Sequence, residues 1–331
     1  MRHIGVWLSA VFLLAASPAI AADKVSFGTN WLAEAEHGGY YQAVVDGTYA
    51  KYGLDVTIAQ GGPQANNELL LAAGKLDFYM GGNLLLAFDA VDRNVPIVVV
   101  AAHFQKDPQI MMSHPGVGLD RWTDLPKATA FIGKEGLVSF YQWMRSAYGF
   151  KEENVKPYTF NPGPFIADKN SIQQGYVTSE PFAVEAQGHF KPNIFLLADQ
   201  GYGTYATTIE TRADLIAQRP DVVQRFVDAS TIGWYHYLYG DNAKANEQIK
   251  KDNPEMTDEQ IAFSIAKIKE FGLVDSGDTA KLGVGAMTDD RVKGFYEQMV
   301  KAGVVKPGLE YKKAYTLQFV NKGVGLDLRP K

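Results

Sequence analysis

The sequence predicts an α/β protein of two lobes, each a sheet flanked by helices, with a ligand cleft between the lobes. Three observations carry this. Residues 24–102 alternate strand and helix patterns in the order β-α-β-α-β-α-β, the alternation that builds an α/β lobe. A second, shorter alternation follows over roughly 115–200. The last third is helical and has no strands with which to build a sheet of its own, so it must pack on an existing one.

The elements follow in order. Arg2 and an apolar run from Ile4 through Phe12 and Leu14 are too short to span a bilayer securely. Ala19-Ile20-Ala21 is a small-x-small cleavage site, so residues 1–21 read as a signal peptide; the alternative is a retained anchor. There is no cysteine, hence no disulfide, no thiolate metal site, no cysteine nucleophile and no lipid-modified cysteine. The expected location is the periplasm, as a soluble monomer rather than a lipoprotein.

Val25 and Phe27 alternate in a strand, and Asn30 and Trp31 sit at its carboxyl end. His37, Gly38 and Gly39 precede a helix carrying Tyr40, Tyr41, Ala43, Val44 and Val45; Gly53 ends it, and Leu54, Val56 and Ile58 form the next strand. Gly61-Gly62-Pro63 is a turn. Glu68–Leu71 lead a short helix that stops at Gly74. Leu76, Phe78 and Met80 alternate as a strand ending at Gly81-Gly82-Asn83, and Leu84–Val91 continue as helix. Ile97–Ala102 is an unbroken apolar run, which predicts a parallel strand buried on both faces. Gln109–Met112 reads as a strand leading out of this lobe.

In the second lobe, Thr129–Ile132 is a strand, Val138–Tyr148 a helix and Asn154–Phe160 a strand. Ile166–Gln174 reads as helix, Tyr176–Thr178 as strand, Phe182–Gly188 as helix and Ile194–Leu197 as strand. Tyr205–Ile209 is a strand leading back. Pro220 opens a helix whose apolar face runs from Val222 to Leu238. Thr257-Asp258-Glu259-Gln260 is a capping box, and a further helix spans about 289–301.

Several function classes are disfavoured. With 32 basic and 37 acidic residues and no basic cluster, nucleic acid is an unsuitable partner. G-x-S-x-G, the phosphate-binding G-x-x-x-x-G-K-[ST] and H-E-x-x-H are absent. Gly201-Tyr202-Gly203 and Gly116-Val117-Gly118 lack the third glycine of a dinucleotide fingerprint. His37, His103, His114, His189 and His236 are not at ligand spacing from one another, so no metal and no cofactor is expected.

One stretch carries a family resemblance. Asn30-Trp31, His37 six residues on, the aromatic helix and then Tyr49-Ala50-Lys51-Tyr52-Gly53-Leu54-Asp55-Val56 resemble the thiamine-precursor branch of the periplasmic binding proteins. That family groups thiamine-pyrimidine synthases with binding proteins for pyrimidines, sulfonates, taurine and nitrate. Ala73-Gly74-Lys75-Leu76-Asp77-Phe78 resembles its A-G-K-x-D segment, and looser similarity extends to about Tyr239. The resemblance implies a type II two-lobed binding protein. Lobe 1 would be 22–114 with 201–331, and lobe 2 would be 115–200. It also implies transport: capture of a small heteroaromatic solute, such as a thiamine-precursor pyrimidine, by hinge closure, and delivery to an ABC permease in the inner membrane. The same role for alkanesulfonate, taurine or nitrate is the alternative. The family's synthases use pyridoxal phosphate, a Schiff-base lysine, a donor histidine of their own chain and a cysteine-rich motif. The matching stretch here, Met80–Ala87, has neither lysine nor histidine, and the chain has no cysteine.

Ligands of open α/β sheets bind beyond the strands' carboxyl ends, where helix N-termini present free N–H groups. Trp31 would stack on a flat ring, or else lie in the core beneath the first helix. Asn30 would pair with a pyrimidine edge or cap its loop, and His37 would donate to a ligand or cap the helix. Gly82, with Gly81, and Asn83 would let a ligand approach bare backbone or simply make a tight turn. Lys134 and Ser139 flank a helix start suited to an anion, though a solvated lysine is the commoner case. Glu180 would accept from a ring amino group or sit against the macrodipole. Tyr202 and Tyr205 would supply a second aromatic slice or stiffen the hinge.

Overall fold

The computed structural model describes residues 21–62 and 65–330. The expected signal peptide therefore lies, but for Ala21, outside the described residues, as does Pro63 of the expected turn. Among the described residues no helix is long and apolar enough to cross a membrane.

Among the described residues ten strands form two five-stranded sheets. β1 (Asp23–Gly28), β2 (Leu54–Ala59), β3 (Phe78–Asn83), β4 (Ile97–Phe104) and β10 (Ala206–Arg212) make lobe 1, in the order β2-β1-β3-β10-β4. β5 (Gln109–Ser113), β6 (Thr129–Ile132), β7 (Val155–Pro157), β8 (Ser171–Tyr176) and β9 (Asn193–Leu196) make lobe 2, in the order β7-β6-β8-β5-β9. β1 pairs parallel with β2 and β3, while β10 runs antiparallel between β3 and β4. β6 pairs parallel with β7 and β8, while β5 runs antiparallel between β8 and β9. The carboxyl ends of β1, β3 and β4 and those of β6, β7, β8 and β9 thus all point at the junction of the lobes.

The structure corrects three readings. β5 hydrogen-bonds into the second sheet, so the outgoing crossing is Gln105–Pro108 rather than the expected boundary between 114 and 115. β4 is buried as its apolar run requires, but its ladder partner is the antiparallel β10. Its outer edge is covered by the C-terminal segment, through bridges of Val99 to Tyr315 and Ala102 to Gly285. The expected helix 166–174 is not one element: a short helix Gly163–Ala167 ends there, and residues 171–174 belong to β8, which pairs on both sides. There, sheet pairing outweighs local helix preference.

The helical third wraps lobe 1. Helix Gly38–Val45 packs back to back on helix Pro220–Tyr239. A Cβ at Gly38 would lie 2.0 Å from the Tyr237 ring, and one at Gly39 2.4 Å from Trp234, so only glycine permits this approach. Beneath it Phe226 stacks on Phe78 at 4.0 Å and on Tyr49 at 5.4 Å. Helix Asp258–Glu270, capped by the Thr257 hydroxyl accepting from Gln260 N–H at 3.2 Å, reaches lobe 2 instead. Its Ser264 hydroxyl donates to Thr178 O at 2.7 Å, and Phe263 meets Phe182 at 5.5 Å.

The two crossings are tied together. Arg291, on helix Asp289–Lys301, donates to Gln105 O on the outgoing strand and to Gly203 O and Thr204 O, both at 3.0 Å, on the returning one. Its guanidinium lies 4.0 Å over the Tyr205 ring.

Candidate interlobe cleft

The loop after β1 is held rigidly. Thr29 donates its hydroxyl to Trp31 O at 2.7 Å, and Asn67 donates to Thr29 O at 2.9 Å and Ala59 O at 3.1 Å. Gln60 accepts from Ala33 N–H at 2.8 Å, and Asn253 donates to Ala33 O at 2.9 Å. Held this way, the Trp31 ring stands out of the core, 36% exposed. The tryptophan beneath the first helix is Trp234. Across the junction, Phe160 follows β7 with φ of 61° and is 71% exposed. The two rings face each other, centroids 6.0 Å apart and planes 31° apart, one from each lobe. The two lobes meet at this pair.

Three acidic side chains lie near one another at this junction. Glu34 and Glu36 come from the loop after β1; Glu180 opens helix Glu180–Gly188 after β8. Burial, then the neighbouring Glu36 and Glu180, raises the Glu34 carboxyl well above its usual range. Burial raises Glu36 and Glu180 as well, and no lysine or arginine offsets any of the three. Glu180 accepts from Tyr176 N–H at 2.7 Å and from the Tyr158 hydroxyl at 3.2 Å. At the hinge Asp107 accepts from Asn83 Nδ2 at 3.1 Å and Gln109 N–H at 2.9 Å, yet burial pushes it up to about 6.

The candidate residues fare unequally. Asn30 and Gly82 adjoin: a Cβ at Gly82 would lie 3.9 Å from Asn30 Nδ2, ordinary contact, so neighbours do not demand the glycine. Gly81 is the tight position, with Glu210 Oε1 1.9 Å from where its Cβ would be. His37 is fully buried at the helix N-cap without capping it; both ring nitrogens lack partners, and Nε2 sits 3.6 Å from Glu34 Oε1. Burial drives its pKa down to about 3, so the ring is neutral. Asn83 is committed twice, accepting from Leu85 N–H at 3.0 Å as a helix cap while clamping Asp107. Lys134 is exposed at the first turn of the short helix Lys134–Val138. The Ser139 hydroxyl is spent on Glu135 O at 2.6 Å. Tyr202 is buried with its hydroxyl unpartnered, raised by burial and by Asp107 and Tyr176. Tyr205 supplies no aromatic slice: it is buried under Arg291, and its oxygen accepts from Thr288 N–H at 3.0 Å.

Sequence reasoning missed Phe160, Tyr158, Tyr176, Glu34 and Glu36. A usable signal existed for some of them. Glu34 and Glu36 follow the strand of Val25 and Phe27 at its carboxyl end, the rule that picked out Trp31.

Two lobes facing a shared cleft define the class as the periplasmic-binding-protein fold. The chain belongs to the NMT1/THI5-like family, whose pattern matches residues 34–244. It is 24% identical to the riboflavin-binding protein RibY of Chloroflexus aurantiacus over 315 residues, 91% of this chain and 87% of that one. Its fold is similar to the periplasmic aliphatic sulphonate binding protein SsuA of Escherichia coli, with TM-score 0.66 and 10% identity over 88% of this chain and 91% of that one. The desulfurization enzyme DSZB is similar at TM-score 0.58 and 12% identity, over 92% and 99%. At these identities the solved structures speak for the fold alone, and that fold serves binding proteins and an enzyme alike.

Proposed function

We propose that this chain is the periplasmic solute-binding component of an ABC importer and that its solute is a small flat heteroaromatic molecule. The observation that carries the reading is the Trp31–Phe160 pair spanning the cleft, bordered by carboxyls without cationic partners. A ring between two aromatic faces needs a van der Waals gap of about 3.5 Å on each side, roughly 7 Å in all. The rings at 6.0 Å would part by a small opening of the lobes to admit it. Glu180 and Glu34 would accept from ring amino or imide N–H groups. Asn30, His37 and Tyr202 would complete the polar contacts, and Lys134 would remain at the rim. Closure commits the solute, and the closed form is what the permease receives.

A thiamine-precursor pyrimidine fits this description, and so does a flavin, the reading that kinship with RibY favours. An alkanesulfonate, taurine or nitrate would meet carboxyls rather than a basic pocket. Synthase chemistry has no candidate amine in Met80–Ala87, and the chain has no cysteine.

The test is thermal unfolding of refolded, ligand-stripped protein with aminopyrimidines, thiamine, riboflavin, taurine, alkanesulfonates and nitrate. A ligand at 100 times its Kd stabilises by about 2.7 kcal/mol. A shift with a flat heterocycle that Trp31→Ala removes supports the reading; a shift confined to sulfonates or nitrate replaces the ligand and retains the transport role.

A further inference from the structure

We propose that the cleft selects a cation: a flat nitrogen heterocycle carrying positive charge, chosen by Glu34 and Glu36 of lobe 1 and Glu180 of lobe 2. This rests on the aromatic-slot reading and adds the ligand's charge to it.

The argument begins with placement. Two carboxyls stand on one lobe and one on the other, so closure drives like charges together. Glu34, Glu36 and Glu180 form no ion pair with lysine or arginine. The ring of groups that face them offers no positive charge either. On their own loop His37 is neutral. Tyr237 of helix Pro220–Tyr239 lies near Glu36. From lobe 2 come Tyr158, Tyr176 and Thr178, and from the hinge Asp107, which faces Tyr176 and Tyr202. Helix Asp258–Glu270 contributes Ser264, already bonded to Thr178 O.

A second observation is independent of charge. His37 and Tyr202 are each at most 1% exposed, and His37 Nδ1 and Nε2 and the Tyr202 hydroxyl have no hydrogen-bond partner, while the Thr178 hydroxyl is turned to Glu36. Buried polar groups are normally satisfied, so two orphaned side chains beside one acidic cleft mark a place where something else supplies the partners. Among the described residues no three His, Asp or Glu side chains converge to hold a metal ion. Carboxyls spread around a slot, with aromatic faces on both sides, suit a delocalised organic cation instead.

A proton can do part of the same work. Closing the empty cleft raises the three carboxyls, so the closed state binds more protons than the open one. Empty protein therefore closes as pH falls and opens as pH rises, whereas a bound cation keeps it closed at neutral pH.

The absence of cysteine permits Leu69→Cys on lobe 1 and Val138→Cys on lobe 2, both exposed positions, to carry spin labels alone. Pulsed dipolar spectroscopy of the empty protein is expected to give a closed population at pH 5 at least threefold that at pH 8. The difference should vanish in E34Q/E36Q/E180Q and shrink in E180Q alone, a single isosteric change to use if the triple variant does not fold. Equal populations at both pH values overturn the proposal. Calorimetry with thiamine, a fixed cation, and riboflavin, a neutral flat ring, separates the two readings. Thiamine bound at least tenfold more tightly by the wild type than by the triple variant supports it. No thiamine binding, or riboflavin binding that the triple variant leaves unchanged, overturns it and leaves the slot standing. Thiamine binding that survives both Trp31→Ala and Phe160→Ala removes the slot and leaves the charge selection.

Discussion

In each lobe the strand that breaks the parallel run is the one delivered by a crossing: β10 in lobe 1, β5 in lobe 2. On that shared plan the lobes present different surfaces to the cleft. Lobe 1 offers one loop, residues 29–37, fastened by Asn67, Gln60 and Asn253 to three other parts of the lobe. It lies over a core where Phe27, Tyr49 and Phe78 all surround Phe226. Lobe 2 offers the ends of β7 and β8, where Phe160 is held mainly by neighbouring Tyr158 at 5.5 Å and by Trp31 opposite. At the cleft, lobe 1 presents a fastened platform and lobe 2 a jaw with fewer ties on its aromatic tip.

Four changes break or sharpen this contrast. Phe226→Ala strikes the platform hardest, with an expected loss of about 3–5 kcal/mol in urea unfolding. A loss below about 1 kcal/mol would mean that the stack is not what stiffens lobe 1.

Gly39→Ala is next. Its methyl meets Trp234 at 2.4 Å, while Gly133→Ala in lobe 2 meets only Gln174 at 3.5 Å. Overpacking predicts a loss of about 1–3 kcal/mol for the first, and the surface-like second should stay within about 0.5 kcal/mol. Equal melting temperatures for the two variants would erase the distinction.

The third is a titration within the platform. Burial raises the Glu210 carboxyl from 4.5 to about 8, against the Thr208 hydroxyl that donates to it at 3.0 Å. The folded chain keeps this proton where the unfolded chain releases it. Its contribution is thus complete below pH 4.5 and is lost as pH climbs toward 8. The slope is at most about 1.4 kcal/mol per pH unit. Denaturant midpoints at pH 5, 6, 7 and 8 should fall less steeply in Glu210→Gln than in the wild type.

Phe160→Ala is the mildest. Removing one face of the slot should weaken a bound ring by about 0.5–1.5 kcal/mol, measured by calorimetry with the probe that gives the largest thermal shift. Stability should remain within about 0.5 kcal/mol, because the ring is exposed. A fall in stability as large as the fall in affinity would make Phe160 part of the scaffold.

Much of the architecture was legible because it is local. Alternation located β1 to β4, the Thr257 box set a helix start, and residues 289–301 matched the helix Asp289–Lys301. β8 was not legible, since Ile172 and Gln173 look helix-tolerant until β5 and β6 flank them. The cleft was half legible. The rule of strand ends led to Trp31, Asn30 and Glu180, but Phe160 acquires its position only from a lobe closing onto residues some 130 places earlier. Tyr205 misled because its nearness to the hinge is real, while the Arg291 cation that claims its face lies far along the chain.

The place of β10 has a consequence for chronology. Lobe 2's strands are contiguous, from Gln109 to Leu196, so its sheet can close as soon as that length of chain is available. The platform cannot: β4 has no ladder partner, and β3 keeps an open edge, until residues 206–212 arrive between them. A chain that folds as it emerges would finish the smaller lobe first. It would hold the larger one unfinished, with an apolar edge uncovered, for about a hundred residues of further growth.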